Sequence, residues 1–203
     1  MNRNDLRKEV DEITRIFLSA KYYELDFKYI NSIKYNEPVV YRTFYFFTER
    51  MFHSISVALI LDLCKLFDRR EKFSLFRLRN KMVDNYEKSE LMKFLPKHDF
   101  TELFTELDNK DIENLLIKLK TTRDEYYAHF DRTRTDFEKI KIFGKETAKL
   151  ISIAEEILKG IELKYFETSI DFNLTIGELG HNIFERLSQW EQYREQYGLL
   201  KKE

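Results

Sequence analysis

Apolar residues at Leu6, Val10, Ile13, Phe17, Ala20, Tyr23, Phe27 and Ile30 recur at intervals of three and four, a spacing that an α-helix turns into one continuous face. A stripe of that length, about seven helical turns, needs other helices to cover it. The rest of the chain supplies them. Five glycines and two prolines in 203 residues leave few of the turn residues that a β-sandwich requires. The expected fold is all-α, an up-and-down bundle of six or seven helices. It is read as a single domain over residues 1–203, with its core at about 4–167 and a C-terminal helix at about 176–197.

The punctuation of the chain sets the boundaries. Asn4 is placed to cap the first helix. Pro38 disfavours helical geometry at Glu37 and can open a second helix, which is expected to run to about Phe67. Its stretch from Met51 to Leu61 carries no formal charge yet falls well short of the roughly 20 residues that span a bilayer, so it reads as a buried central helix containing a core histidine, His53. Ser74 then caps a shorter helix to about Tyr86. Periodicity returns near Phe100 and resumes from Asp111 to about Asp131. Later stretches centre on Leu150–Tyr165 and Ile176–Trp190, the last stopping before Gly198.

Charge and cysteine usage exclude several classes of protein. Charged residues are 35% and apolar residues 43% of the chain, too charged for a membrane bundle and too apolar for disorder. Lys and Arg number 35 against 36 Asp and Glu, so any basic surface must arise from segregation. The single cysteine, Cys64, rules out a disulfide framework and fits a reducing compartment. No apolar signal follows the polar start Met1-Asn-Arg-Asn-Asp, so the expected location is cytoplasmic, with no membrane partner.

The helix from Asp111 carries the chemistry. At 100° per residue, Ile112, Leu115, Leu116, Leu119, Tyr126 and Phe130 share one face, and Arg123 falls inside it with His129 at its edge. An arginine among apolar neighbours is costly unless it is paired or its head reaches a solvated cleft. A carboxylate partner across the bundle and a packed histidine would account for both without any function. Asp124 projects away from the face and reads equally as a solvent-facing acid.

The run Arg123-Asp-Glu-Tyr-Tyr-Ala-His129 is an Arg, a polar residue, four further residues and a His. It resembles the catalytic motif of the HEPN superfamily of helical ribonucleases. Ser56-Val-Ala-Leu-Ile-Leu-Asp-Leu-Cys-Lys-Leu-Phe-Asp68, followed by Ser74-Leu-Phe-Arg-Leu, is similar to the AbiU-type branch linked to phage abortive infection. The resemblance implies an RNA-cleaving toxin or antiphage effector, a homodimer, and an antitoxin partner. It implies that His129 transfers protons between the 2′-hydroxyl and the leaving 5′-oxygen, that Arg123 stabilises phosphoryl charge, and that Asp124 orients the pair. One branch of the superfamily carries a tyrosine two residues after the histidine; Asp131 stands there in this chain, so control by tyrosine adenylylation is not expected. The alternative is a non-catalytic RNA- or nucleotide-binding module, or a helical interaction subunit. Counted along a straight helix, Arg123 and His129 point about 240° apart, so a shared phosphate would need a second copy of the chain.

Between Lys65 and Lys81, seven basic residues face only Asp68 and Glu71, with Phe67, Phe73 and Phe76 interleaved. Arg69, Arg70, Lys72, Arg77 and Arg79 are candidates to grip an RNA backbone, and Arg132 and Arg134 after the motif could line the same cleft. The alternative is a solvated face whose phenylalanines enter the core. Glu178-Leu-Gly-His181 has the spacing of di-iron bundles, but that architecture needs two such motifs and two more glutamates. No metal, no cofactor and no glycine-rich phosphate loop are expected.

Overall fold

The computed structural model describes residues 2–88, 90–93, 96–127, 142, 144–172, 189 and 192. They are predominantly helical, with no strand among them. The principal helices are α1 (Arg3–Asn36), α2 (Pro38–Thr43), α3 (Tyr45–Phe67), α4 (Leu75–Arg79), α5 (Lys97–Leu103), α6 (Lys110–Thr121) and α7 (Gly144–Ile161). The all-α expectation is met. The expected C-terminal helix at about 176–197 lies outside the described residues.

Two compact units divide the chain. The first takes residues 2–21 and 57–172 and contains the candidate site. Its core joins the first apolar stripe of α1, Leu6 to Ala20, with Leu59, Leu63 and Leu66 of α3 and Leu150, Ala154 and Leu158 of α7. Burial of such side chains contributes about 1.5–3 kcal/mol each. Phe17 meets Phe172 edge-on at 5.0 Å, and Phe100 sits between Tyr86 and Tyr165 at 6.0 Å from each. Polar ties fix the helices around that core. Ser19 donates to Asp62 at 2.7 Å, Lys21 to Glu155 at 2.6 Å, and Lys118 of α6 to Glu146 of α7 at 2.6 Å. Arg7 donates to the buried carboxylate of Glu162 at 2.5 Å and covers the ring of Phe166.

The second unit is built on residues 22–56. Ile30, Ile33 and Val40 form its small core, packed by Tyr29, Tyr41, Phe44, Met51, Phe52 and Ile55. Pro38 opens α2 as its first residue, as the sequence predicts. The helix does not then continue unbroken to Phe67: Phe44 leaves helical geometry at φ −109° and ψ 27°, dividing it into α2 and α3. The stretch from Met51 to Leu61 is not buried as expected. His53 and Ser54 are exposed, continuous burial is reached only toward Leu59 and Ile60, and His53 is not a core histidine. An uncharged run reports the absence of charge, not the side from which it is covered. At the N-terminus the cap is Asn2, whose side chain accepts from the Asp5 amide at 2.8 Å, and Asn4 lies inside α1.

Candidate functional site

Helix α6 starts at the Asn109 cap, whose side chain accepts from the Asp111 amide at 2.9 Å. Asp111 and Glu113 in its first turn and Lys118 and Lys120 in its last complement the helix dipole. Ile112 and Leu119 are buried and Leu115 and Leu116 half-buried, as the periodicity predicts. From Thr122 to Tyr127 the helix widens into a π turn. Thr122 anchors the change: its buried hydroxyl donates to the Lys118 carbonyl at 2.8 Å and accepts from the Ile142 amide at 3.1 Å. The rotation of 100° per residue therefore stops at Thr122. The count of about 240° between Arg123 and His129 assumes a straight α-helix, whereas the described part of that span, up to Tyr127, is wound as a π turn. His129, Arg132 and Arg134 lie outside the described residues.

Arg123 stands at the start of that turn, with its side chain 24% exposed. Its Nε donates to Asp124 Oδ1 at 2.6 Å, and Nη1 lies 3.8 Å from Asp68 Oδ2. Hydrogen bonding to Arg123 holds the Asp124 carboxyl below its usual range, and Asp124 in turn raises the guanidinium. The expected partnership of Arg123 and Asp124 is thus direct contact between neighbours in sequence. Asp68 belongs to the loop after α3. Its carboxylate accepts from the Arg70 amide at 2.9 Å, from Nε at 3.3 Å and from Nη2 at 3.1 Å, which lowers its pKa. One aspartate thus shapes the turn, holds Arg70 and faces Arg123.

A cavity of about 400 Å³ opens beside this cluster. Cys64, Phe67, Phe76, Leu116 and Leu119 give it apolar walls; Arg69, Arg70, Lys120 and Arg123 bring positive charge, against Asp68 and Glu113. Burial pushes the Cys64 thiol up to about 12, although Arg123 pulls the other way, so the thiol is neutral near pH 7. Arg69 lies over the Phe76 ring at 4.9 Å from its centroid, on the side chain of α4, which Ser74 caps by accepting from the Arg77 amide at 3.3 Å. Phe67 and Phe76 enter the core, as the plainer sequence reading has it, while also walling the cavity.

Of the basic run, Arg69 and Arg70 join Arg123 at the cavity. Lys72, Arg77 and Arg79 do not line it. Arg79 pairs with Asp108 at 2.6 Å and stacks on Phe76, Lys72 lies near the Phe73 ring, and Arg77 is exposed. Sequence reasoning passed over Lys120, Asp68 and Glu113. The spacing of Glu113, Leu116, Lys120 and Arg123 was a usable signal, since steps of three and four place them along one side of α6. His98, Asp99 and Glu102 on α5 offer ligand atoms within 4.8 Å of one another, but His98 and Glu102 are exposed and Glu102 pairs with Lys164 at 3.2 Å.

Residues 5–183 match the family model described as AbiU2, of the HEPN superfamily. The chain belongs to the AbiU2 HEPN family. The match includes α1–α7, the Arg123 cluster and the segment that carries His129, and it agrees with the all-helical fold. This AbiU2 protein is therefore a HEPN module of abortive-infection type. No curated protein and no solved structure matches the chain. Among the described residues of the AbiU2 chain, no helix is long and apolar enough to cross a membrane.

Proposed function

We propose that this AbiU2 protein is a metal-independent endoribonuclease, a cytoplasmic toxin or antiphage effector that works as a homodimer and is restrained by an antitoxin. The observation that supports it is Arg123: a half-buried guanidinium at the edge of a cavity, its Nε held by Asp124 and a loop of arginines beside it. In the reaction, a 2′-hydroxyl attacks the adjacent phosphorus and displaces the 5′-oxygen. Negative charge grows on the phosphoryl oxygens, and a guanidinium offers parallel donors and a permanent charge to meet it. Asp124 fixes the direction in which that group points. His129 takes the proton from the 2′-hydroxyl or returns one to the leaving oxygen, the role for which an imidazole is suited because that side-chain type can exchange protons near neutral pH.

The test is cleavage of single-stranded RNA by purified protein in EDTA, with 2′,3′-cyclic phosphate ends or their hydrolysis products. Loss on chelation and recovery with Mg²⁺ would contradict the proposal. Toxicity on expression should vanish in a folded His129→Ala protein. Binding of RNA without turnover would favour the non-catalytic module. A forced heterodimer of Arg123→Ala with His129→Ala recovers cleavage if two chains share one site, and stays inactive if each chain holds its own.

A further inference from the structure

The ribonuclease reading explains why phosphate would approach Arg123, but not why a cavity with apolar walls adjoins it. Phe67, Phe76, Leu116 and Leu119 give nothing to a phosphate. They suit a flat, weakly polar ring, which gains by leaving water. Cys64 adds a buried neutral wall.

The polar groups of the cavity divide into two kinds. Asp68 is occupied by Arg70 through three hydrogen bonds and faces Arg123. Glu113 is exposed, lines the same cavity, and its carboxylate has no ion pair among the described residues. It lies ten residues before Arg123, an axial distance of about 15 Å at α-helical rise. That distance matches one nucleotide together with the reach of a glutamate at one end and an arginine at the other. A free carboxylate presents two adjacent acceptors, and among the common bases guanine offers two adjacent N–H donors on its pairing edge.

We propose that this cavity is a nucleobase subsite, in which Glu113 receives the pairing edge of a guanine whose phosphate lies at Arg123. The inference rests on the ribonuclease reading for the identity of the ligand as RNA, and it assigns that site a base preference. Lys120, Arg69 and Arg70 then flank the sugar-phosphate and Phe67 and Phe76 wall the ring. Charge complementarity favours this occupant over the α6 helix of a second copy, which would bring its own Lys120 and Arg123 against the same cations.

The experiment titrates the full chain with the 3′- and 5′-monophosphates of guanosine and adenosine, which cannot be cleaved. In at least one series the guanine nucleotide should bind about tenfold tighter than its adenine counterpart. Glu113→Gln should bring the two to within about twofold with unchanged circular dichroism, while Arg123→Ala weakens both and keeps their ratio. Equal binding of the two bases in wild type, a preference that survives Glu113→Gln, no nucleotide binding, or a dimer contact that buries Ile117, an exposed apolar residue of the cavity lining, and blocks nucleotides would each overturn the subsite. Because the titration reads binding alone, the two proposals fail separately. Cleavage of RNA without a guanine preference removes the subsite and keeps the nuclease; guanine binding without cleavage does the reverse.

Discussion

Arg69 and Arg70 stand in the loop after α3 and line the cavity beside Arg123, whereas Arg79, in α4, directs its charge to Asp108 at 2.6 Å. Both groups belong to one basic run. The loop group is organised by Asp68, which holds Arg70 through backbone and side chain together. The helix group is organised by α4, whose register sends Arg77 outward and Arg79 onto Phe76 and Asp108. Density of positive charge along a sequence therefore says little about which cations a ligand meets; the turn chemistry between them decides.

The largest separation of the two groups should appear in catalysis. Arg123→Ala is expected to lower the rate of RNA cleavage about 100-fold or more, because it removes the charge at the phosphoryl oxygens. Arg79→Ala should stay within about twofold of wild type, since it loses a surface ion pair. Comparable losses in both variants would erase the distinction. Binding should separate them next. Reversing Arg69 and Arg70 to Glu is expected to weaken RNA binding about tenfold and to lower the salt slope by about two. Reversing Lys72 and Arg77 changes the net charge equally and should leave the slope alone. Equal slopes for the two double variants would mean that the whole run acts as one diffuse field.

The cavity wall can be probed by alkali. Burial raises the Cys64 thiol from 9.0 to about 12, so its contribution to stability is complete below pH 9 and is lost as pH climbs from 9 toward 12, where the unfolded thiol ionises first. Urea unfolding above pH 9 should show wild type losing roughly 1 kcal/mol per pH unit relative to Cys64→Ala. Parallel pH profiles would mean that water reaches the thiol. The smallest effect belongs to the helix group: Ser74→Ala removes the cap of α4 and should cost about 1 kcal/mol in unfolding, with the RNA salt slope unchanged.

Where local chemistry decides structure, the sequence was readable. The apolar stripe of α1, the helix start at Pro38 and the Ser74 cap all follow from residues within a turn of one another. The misreadings depend on distant partners. The break at Phe44 has no glycine or proline to announce it. The Thr122 turn is anchored by the amide of Ile142, twenty residues away, which no periodicity can register. Asp68 looked like one acid diluting a basic run, and its role emerged only when the loop brought Arg70 and Arg123 to its two sides.

The wide turn at Thr122–Tyr127 separates two ways of measuring a motif. An arginine and a histidine six positions apart share the same count in any helix, yet the directions they face depend on how many residues each hydrogen-bonded ring encloses. One residue gained or lost within the turn shifts whatever follows by roughly 100°. An alignment that tolerates a gap there would score as equivalent two chains whose downstream side chains look in different directions. For relatives of this protein, the length of that short segment is therefore a chemical variable as much as the identity of the residues flanking it.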